Sequence, residues 1–200
     1  MTRQLALALA AVGLVAAGYA AGQQTAAPAS IHRVVTTIDK DGKSVALIND
    51  ALPLLSFRSP NPAGEVWVTQ ADPADFNWTE DRGKIKVALQ PPKNGTIFRI
   101  VDFVPMTDKI EHLPMDTMMK VAGPDAPKRG LPPKHPMMHR TRTVDYAIIM
   151  SGEIDMMLDD KTVHVKAGDV VVQQATNHAW LNHGTEPCRI IFVLMDSKQP

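Results

Sequence analysis

His139, Thr141 and Asp145 recur at alternating positions in HRTRTVDYAIIMSG, residues 139–152. His178, Trp180 and Asn182 do the same in GDVVVQQATNHAWLN, residues 168–182. Alternate side chains of an extended strand share one face, so each stretch presents a row of polar groups. Two imidazoles and a carboxylate can hold a divalent metal, or they can exchange protons near neutral pH. Residue types alone leave two readings open for these rows: the wall of a polar cavity, or the outer face of an ordinary strand. Thr141 is a poor metal ligand but can hydrogen-bond to water or substrate. Trp180 offers an apolar face that can line a pocket or fill the core. His135 precedes His139 closely enough to contribute to the same pocket, whereas His112 and His183 fit loop positions.

These residues must be placed by short strands. IHRVVTT, SVALI and EVWVT are rich in β-branched and aromatic residues and are bordered by Asp, Gly, Asn or Pro. KIKVAL, TIFRIVDFVP, TVHVKAGDVVVQ and CRIIFVLM extend the series, and DYAIIMSGEIDMMLDD reads as two strands joined near Ser151 and Gly152. ADPADFNWTEDRG is ambiguous, since its proline opposes a strand. No segment carries a long amphipathic helical pattern, and many short strands predict a sandwich or barrel. Residues 105–138 are proline-broken and read as a lid-like loop, with a short helix feasible around Asp116 to Val121. Met115, Met118, Met119, Met137 and Met138 in this segment are read as packing side chains rather than copper ligands.

Arg3, an apolar run over residues 5–17 and the small residues Gly18, Ala20, Ala21 and Gly22 have the order of a secretory signal peptide. The expected division is therefore a signal peptide over 1–22, a flexible leader over 23–30, an N-terminal strand extension over 31–94, and a barrel over 95–200 that includes the 105–138 loop. The product would be periplasmic or secreted and would keep no stable membrane span after cleavage. The chain has 21 Lys+Arg and 21 Asp+Glu, a balance that offers no long-range attraction for nucleic acid or an acidic membrane. Its one cysteine, Cys188, cannot form an internal disulfide and is read as a buried strand thiol.

The two polar stretches resemble the motifs of the cupin superfamily. The first is written G-x5-H-x-H-x3 or 4-E-x6-G; His139 matches its first histidine, Thr141 stands at the second, Asp145 replaces the glutamate, and Gly152 matches the last glycine. The second is written G-x5-P-x-G-x2-H-x3-N; Gly168, His178 and Asn182 match, while Gln173 and Ala175 occupy the proline and glycine positions after an interval one residue short.

The resemblance implies an all-β, cupin-like double-stranded β-helix, a jelly-roll barrel whose motif residues point into its mouth. It implies His139, Asp145 and His178 as both catalytic and metal-ligating candidates, with Thr141, Trp180 and His135 on the substrate side. The metal would be Fe, Mn, Ni or Zn, or none would be held. The partners implied are a small organic molecule and a second copy of the chain in a homodimer. A metal-dependent oxygenase or isomerase, a metal-free cyclase, dehydratase or decarboxylase, and a non-catalytic small-molecule binder are all compatible with it.

Overall fold

The computed structural model describes residues 29–56 and 59–200; the expected signal peptide and most of the leader lie outside them. Ten strands dominate. Ser30–Ile38 (β1) and Ser44–Pro53 (β2) form an antiparallel hairpin of their own. Ala63–Thr69 (β3), Thr96–Phe103 (β4), Thr143–Ser151 (β5), Val170–Gln174 (β8) and Cys188–Asp196 (β10) make a five-stranded antiparallel sheet in the order β3-β4-β10-β5-β8. Glu153–Met157 (β6), Thr162–Lys166 (β7) and Ala179–Leu181 (β9) make a three-stranded sheet in the order β7-β6-β9. The arrangement is mostly β and cupin-like, resembling a double-stranded β-helix.

Strict alternation builds the core between these sheets. Along β10, Cys188, Ile190, Phe192 and Leu194 are buried while the residues between them are only partly covered. They pack with Val68, Ile97, Ala147 and Ile149 of the same sheet, and with Ile154, Met156, Val165 and Trp180 of the smaller sheet. Cys188 is a buried free thiol, as its apolar context predicts, and burial pushes its pKa up to about 11. Gly152 joins β5 to β6 at φ 75°, where an added Cβ would stand 3.0 Å from both Cys188 Cα and Pro187 O; glycine is required there by conformation and by space.

The hairpin lies against the larger sheet. Ile31 and Leu52 pack on Leu54, Val66 and Ile100, with Phe98 and Ile191 alongside. Its polar anchor is Arg33, which is 4% exposed. Arg33 forks onto Asp50 at 3.1 and 2.8 Å and onto Asp81 at 2.9 and 2.9 Å, and also reaches the Val66 carbonyl. Gly83 makes room for this guanidinium, since a Cβ there would come within 2.6 Å of it. β3 lies within the expected 31–94 extension, yet it hydrogen-bonds to β4 and belongs to the five-stranded sheet.

KIKVAL forms no strand, contrary to the sequence expectation. Arg99 takes the carbonyls of Ala88 and Leu89, and Pro91 and Pro92 follow after Gln90, so these two backbone acceptors are met by a side chain rather than by a ladder. Within residues 105–138 there are two short helices, Asp108–Glu111 (α1) and Thr117–Ala122 (α2), the second where the sequence allows one. Met118, Met137 and Met138 pack with Ile110, Ala179 and Leu181, in keeping with a packing role, while Met115 stays exposed. Arg140 holds the segment further by donating to the Pro127 and Leu131 carbonyls.

The outer face of β5 and β8 is left bare. Tyr146, Ile148 and Met150 alternate outward along β5, beside Val170 and Val172 on β8, and each is at least 41% exposed. Among the described residues no helix is long and apolar enough to cross a membrane.

Candidate functional site

The two motif histidines meet through their backbones. His139 N donates to His178 O at 2.9 Å and His178 N donates to His139 O at 3.0 Å, forming an isolated antiparallel bridge between the start of one motif and the end of the other. The ring centroids are 4.5 Å apart. Each Nδ1 lies 3.0 Å from the carbonyl two residues earlier, Met137 O for His139 and Thr176 O for His178. A carbonyl only accepts, so each Nδ1 carries the hydrogen and each Nε2 is left with its lone pair. Burial lowers the pKa of both rings, that of His178 to about 3, and the neighbouring His139 pushes His178 further the same way. The pair is therefore held as two neutral imidazoles.

Thr141, Thr143 and Asp145 follow on one face, at 1%, 0% and 3% exposure. Thr141 Oγ1 and Thr143 Oγ1 are 2.7 Å apart, and Thr143 hydrogen-bonds onward to Asp145. Two hydroxyls thus connect the buried carboxyl to the neighbourhood of the histidines. Desolvation raises the Asp145 pKa to about 6, against the opposing effects of the Thr143 hydrogen bond and the Arg99 charge. Asp145 Oδ1 has no hydrogen-bond partner, and neither has Nε2 of Gln173, the residue directly across the β5–β8 ladder. A spare acceptor and a spare donor therefore sit on paired residues.

His139, His178, Thr141, Asp145 and Trp180 all line one cavity of about 670 Å³. Phe103, Phe192 and Leu194 supply apolar wall, and the hairpin supplies Arg33, Asp50 and Leu52 on another side. Trp180 does both things its sequence allows: it stacks in the core at 5.9 Å from Phe192 and 6.3 Å from Phe103, and it borders the cavity. Asn182 holds a turn, donating to Phe103 O and Glu186 O and accepting from Gly184 N.

His135 is not part of this wall. Its Nδ1 accepts from Met137 N and its Nε2 faces Glu111 at 3.2 Å, which makes it a brace inside the 105–138 segment. Arg99 is a cavity residue that sequence reasoning missed, although a charge at the inward phase of TIFRIVDF was a legible signal. It is 6% exposed and forks onto Glu65 at 2.8 and 2.8 Å.

The cupin domain family pattern matches residues 127–194, which contain both motif stretches. The cupin-domain-containing oxidoreductase srdD of Neurospora crassa is 33% identical over 178 residues, covering 84% of this chain and 76% of the relative. This chain belongs to the cupin superfamily. Phomopsin biosynthesis cluster protein C' of Diaporthe leptostromiformis is a further relative, 29% identical over 84% of this chain and 79% of its own length. Among solved structures, the Cnp3 cupin domain of Schizosaccharomyces pombe is similar at 9% identity and a TM-score of 0.42, over 84% of this chain and 88% of that one.

Cupin motifs commonly serve a metal, so the donor set must be tested against one. Among the described residues, no group of three or more His, Cys, Asp or Glu side chains is disposed to hold a metal ion. His139 and His178 are adjacent, but Thr141 stands where a further imidazole would be, and its hydroxyl is engaged with Thr143. Asp145 sits beyond that hydroxyl pair, with one oxygen buried and unpartnered. The donors brought together here are two imidazoles, with no third His, Cys, Asp or Glu side chain among the described residues placed to complete the expected His139/Asp145/His178 set.

Proposed function

We propose that this cupin transforms a small organic molecule by proton transfer in the cavity, with the two sheets closing around it as a jelly-roll barrel. The supporting observation is the facing pair of neutral imidazoles beside a carboxyl that titrates near 6. Nε2 of His139 and Nε2 of His178 hold the reacting group of the bound molecule by accepting a hydrogen bond from it. Asp145, whose pKa lies near 6, takes a proton from one atom of the bound molecule as general base and returns it to another as general acid. Isomerisation, cyclisation, dehydration and decarboxylation all divide into such steps. The names of the relatives, an oxidoreductase and a biosynthesis-cluster protein, favour a second reading in which the same groups carry the proton that accompanies a redox change.

A screen of candidate metabolites for product formation tests the proposal. His139→Gln, His178→Gln and Asp145→Asn are each expected to slow turnover by about 10²-fold or more with folding retained. Turnover is expected to survive exhaustive chelation. Turnover abolished by chelation and restored by one added divalent metal would replace the proton-transfer reading with a metal-dependent one.

The bare strip of β5 and β8 supports the homodimer. It is uncharged, and the ion pairs beside it, Arg189–Asp102 and Arg142–Asp196, are closed within the chain. A face without free charge best suits a second copy of itself. Sedimentation equilibrium is expected to give a dimer for the native protein and a monomer for Ile148→Lys; a native monomer at all working concentrations would end this reading.

A further inference from the structure

We infer that the inner end of the cavity takes an uncharged, mainly apolar molecule that presents a hydroxyl group to Nε2 of His139 and His178. This names a ligand class for the site of the proposed function and rests on that reading. The tautomers carry the argument. Both Nδ1 atoms are committed to carbonyls at 3.0 Å, so both Nε2 atoms are acceptors. Among the described residues no group hydrogen-bonds to either Nε2, although both rings line the cavity. Two acceptors side by side in an apolar wall call for a donor from the ligand, because an acceptor desolvated without a donor costs free energy.

The surroundings favour an uncharged group over a charged one. A carboxylate or phosphate would set its own lone pairs against the two Nε2 lone pairs, beside Asp145. The buried cations do not relieve this, since Arg99 is forked onto Glu65 and Arg33 onto Asp50 and Asp81, while Lys84 and Lys86 of the lining are not buried. An ammonium group would lose its hydration among Phe103, Trp180, Phe192 and Leu194. One hydroxyl on an apolar skeleton supplies the donor that the two Nε2 atoms lack.

Equilibrium binding of 2-naphthol, naphthalene and 2-naphthoate to the purified full-length chain, read by calorimetry, tests this with three probes of one skeleton. 2-Naphthol is expected to bind about tenfold or more tighter than either of the others, as a site built to pair a hydroxyl discriminates against an analogue lacking it. His178→Phe keeps a ring but removes an acceptor, and is expected to shrink that preference toward parity while naphthalene binding persists. Should His178→Phe not fold, by its far-ultraviolet circular dichroism, His139→Phe serves the same purpose. Equal binding of all three probes, strongest binding of 2-naphthoate, or binding of none overturns the ligand class. Turnover in the metabolite screen is scored separately, so proton-transfer chemistry can stand when the ligand class fails, and the reverse.

Discussion

Arg33→Met is expected to destabilise the fold by about 3–5 kcal/mol, the range for breaking a buried ion pair from one side. The guanidinium is 3% exposed and bridges two carboxylates from different parts of the chain, Asp50 in the hairpin and Asp81 before the turn at Arg82–Lys84. Its removal leaves Asp81, 14% exposed, facing a methionine, and takes away the donor to Val66 O. In a domain of this size such a loss lowers the melting temperature by about 6–20 °C, at about 2–4 °C per kcal/mol. The triple variant Arg33→Met, Asp50→Asn, Asp81→Asn is expected to recover much of it, since the burden is the unpaired charge more than the absent pair. Thermal and urea denaturation followed by circular dichroism decide this. A single variant within about 0.5 kcal/mol of the native protein would show that Arg33 does not anchor the hairpin.

Stability should depend on pH through two site residues of opposite sign. The folded-state pKa of His178 lies near 3, below its ordinary 6.5, so the unfolded chain binds more protons between those values and stability falls as pH drops through that window. The full displacement corresponds to about 4–5 kcal/mol below about pH 3. The pKa of Asp145 lies near 6, above its ordinary 3.8, so the folded chain binds more protons between those values and stability falls as pH rises through that window, by about 3 kcal/mol in all. The two oppose each other between about pH 4 and 6, and His178 acts alone on either side, with His139 adding in its direction.

Asp145→Asn is therefore expected to be more stable than the native protein by up to about 3 kcal/mol at about pH 7.5 and nearly indistinguishable from it at about pH 3.5. His178→Gln is expected to flatten the acid side. Urea midpoints measured across this range are the check, and an Asp145→Asn advantage that does not grow with pH would show that the folded-state pKa of Asp145 is not raised by its surroundings. A group that destabilises the fold at neutral pH while lining a cavity is what a functional role would explain.

Local chemistry made much of this molecule legible in the sequence. β-Branched runs with period-2 alternation and Gly or Pro borders determined the strands of the two sheets, because a strand's pattern is set by which face it buries. The spacing of His139, Gly152, His178 and Asn182 pointed to the superfamily, since these residue types recur at the motif's intervals. The two histidines bridge to each other through their backbones, Gly152 makes a positive-φ turn against Cys188, and the Asn182 side chain closes a turn. The role of the methionines as packing, and the short helix near Thr117, were likewise within reach of composition.

Only the tertiary structure decided what depends on partners far along the chain. It withdrew KIKVAL from the sheets, because a guanidinium from β4 took the carbonyls a ladder would have used. It turned His135 inward as a brace for α1, a contact across 24 residues that no local pattern encodes. It placed Arg99 and the Arg33 anchor on the cavity wall that His139, His178 and Asp145 also line. Spacing says which residues share a face; the distance between two faces is fixed by how the sheets pack, and that packing decides whether three side chains meet at one point.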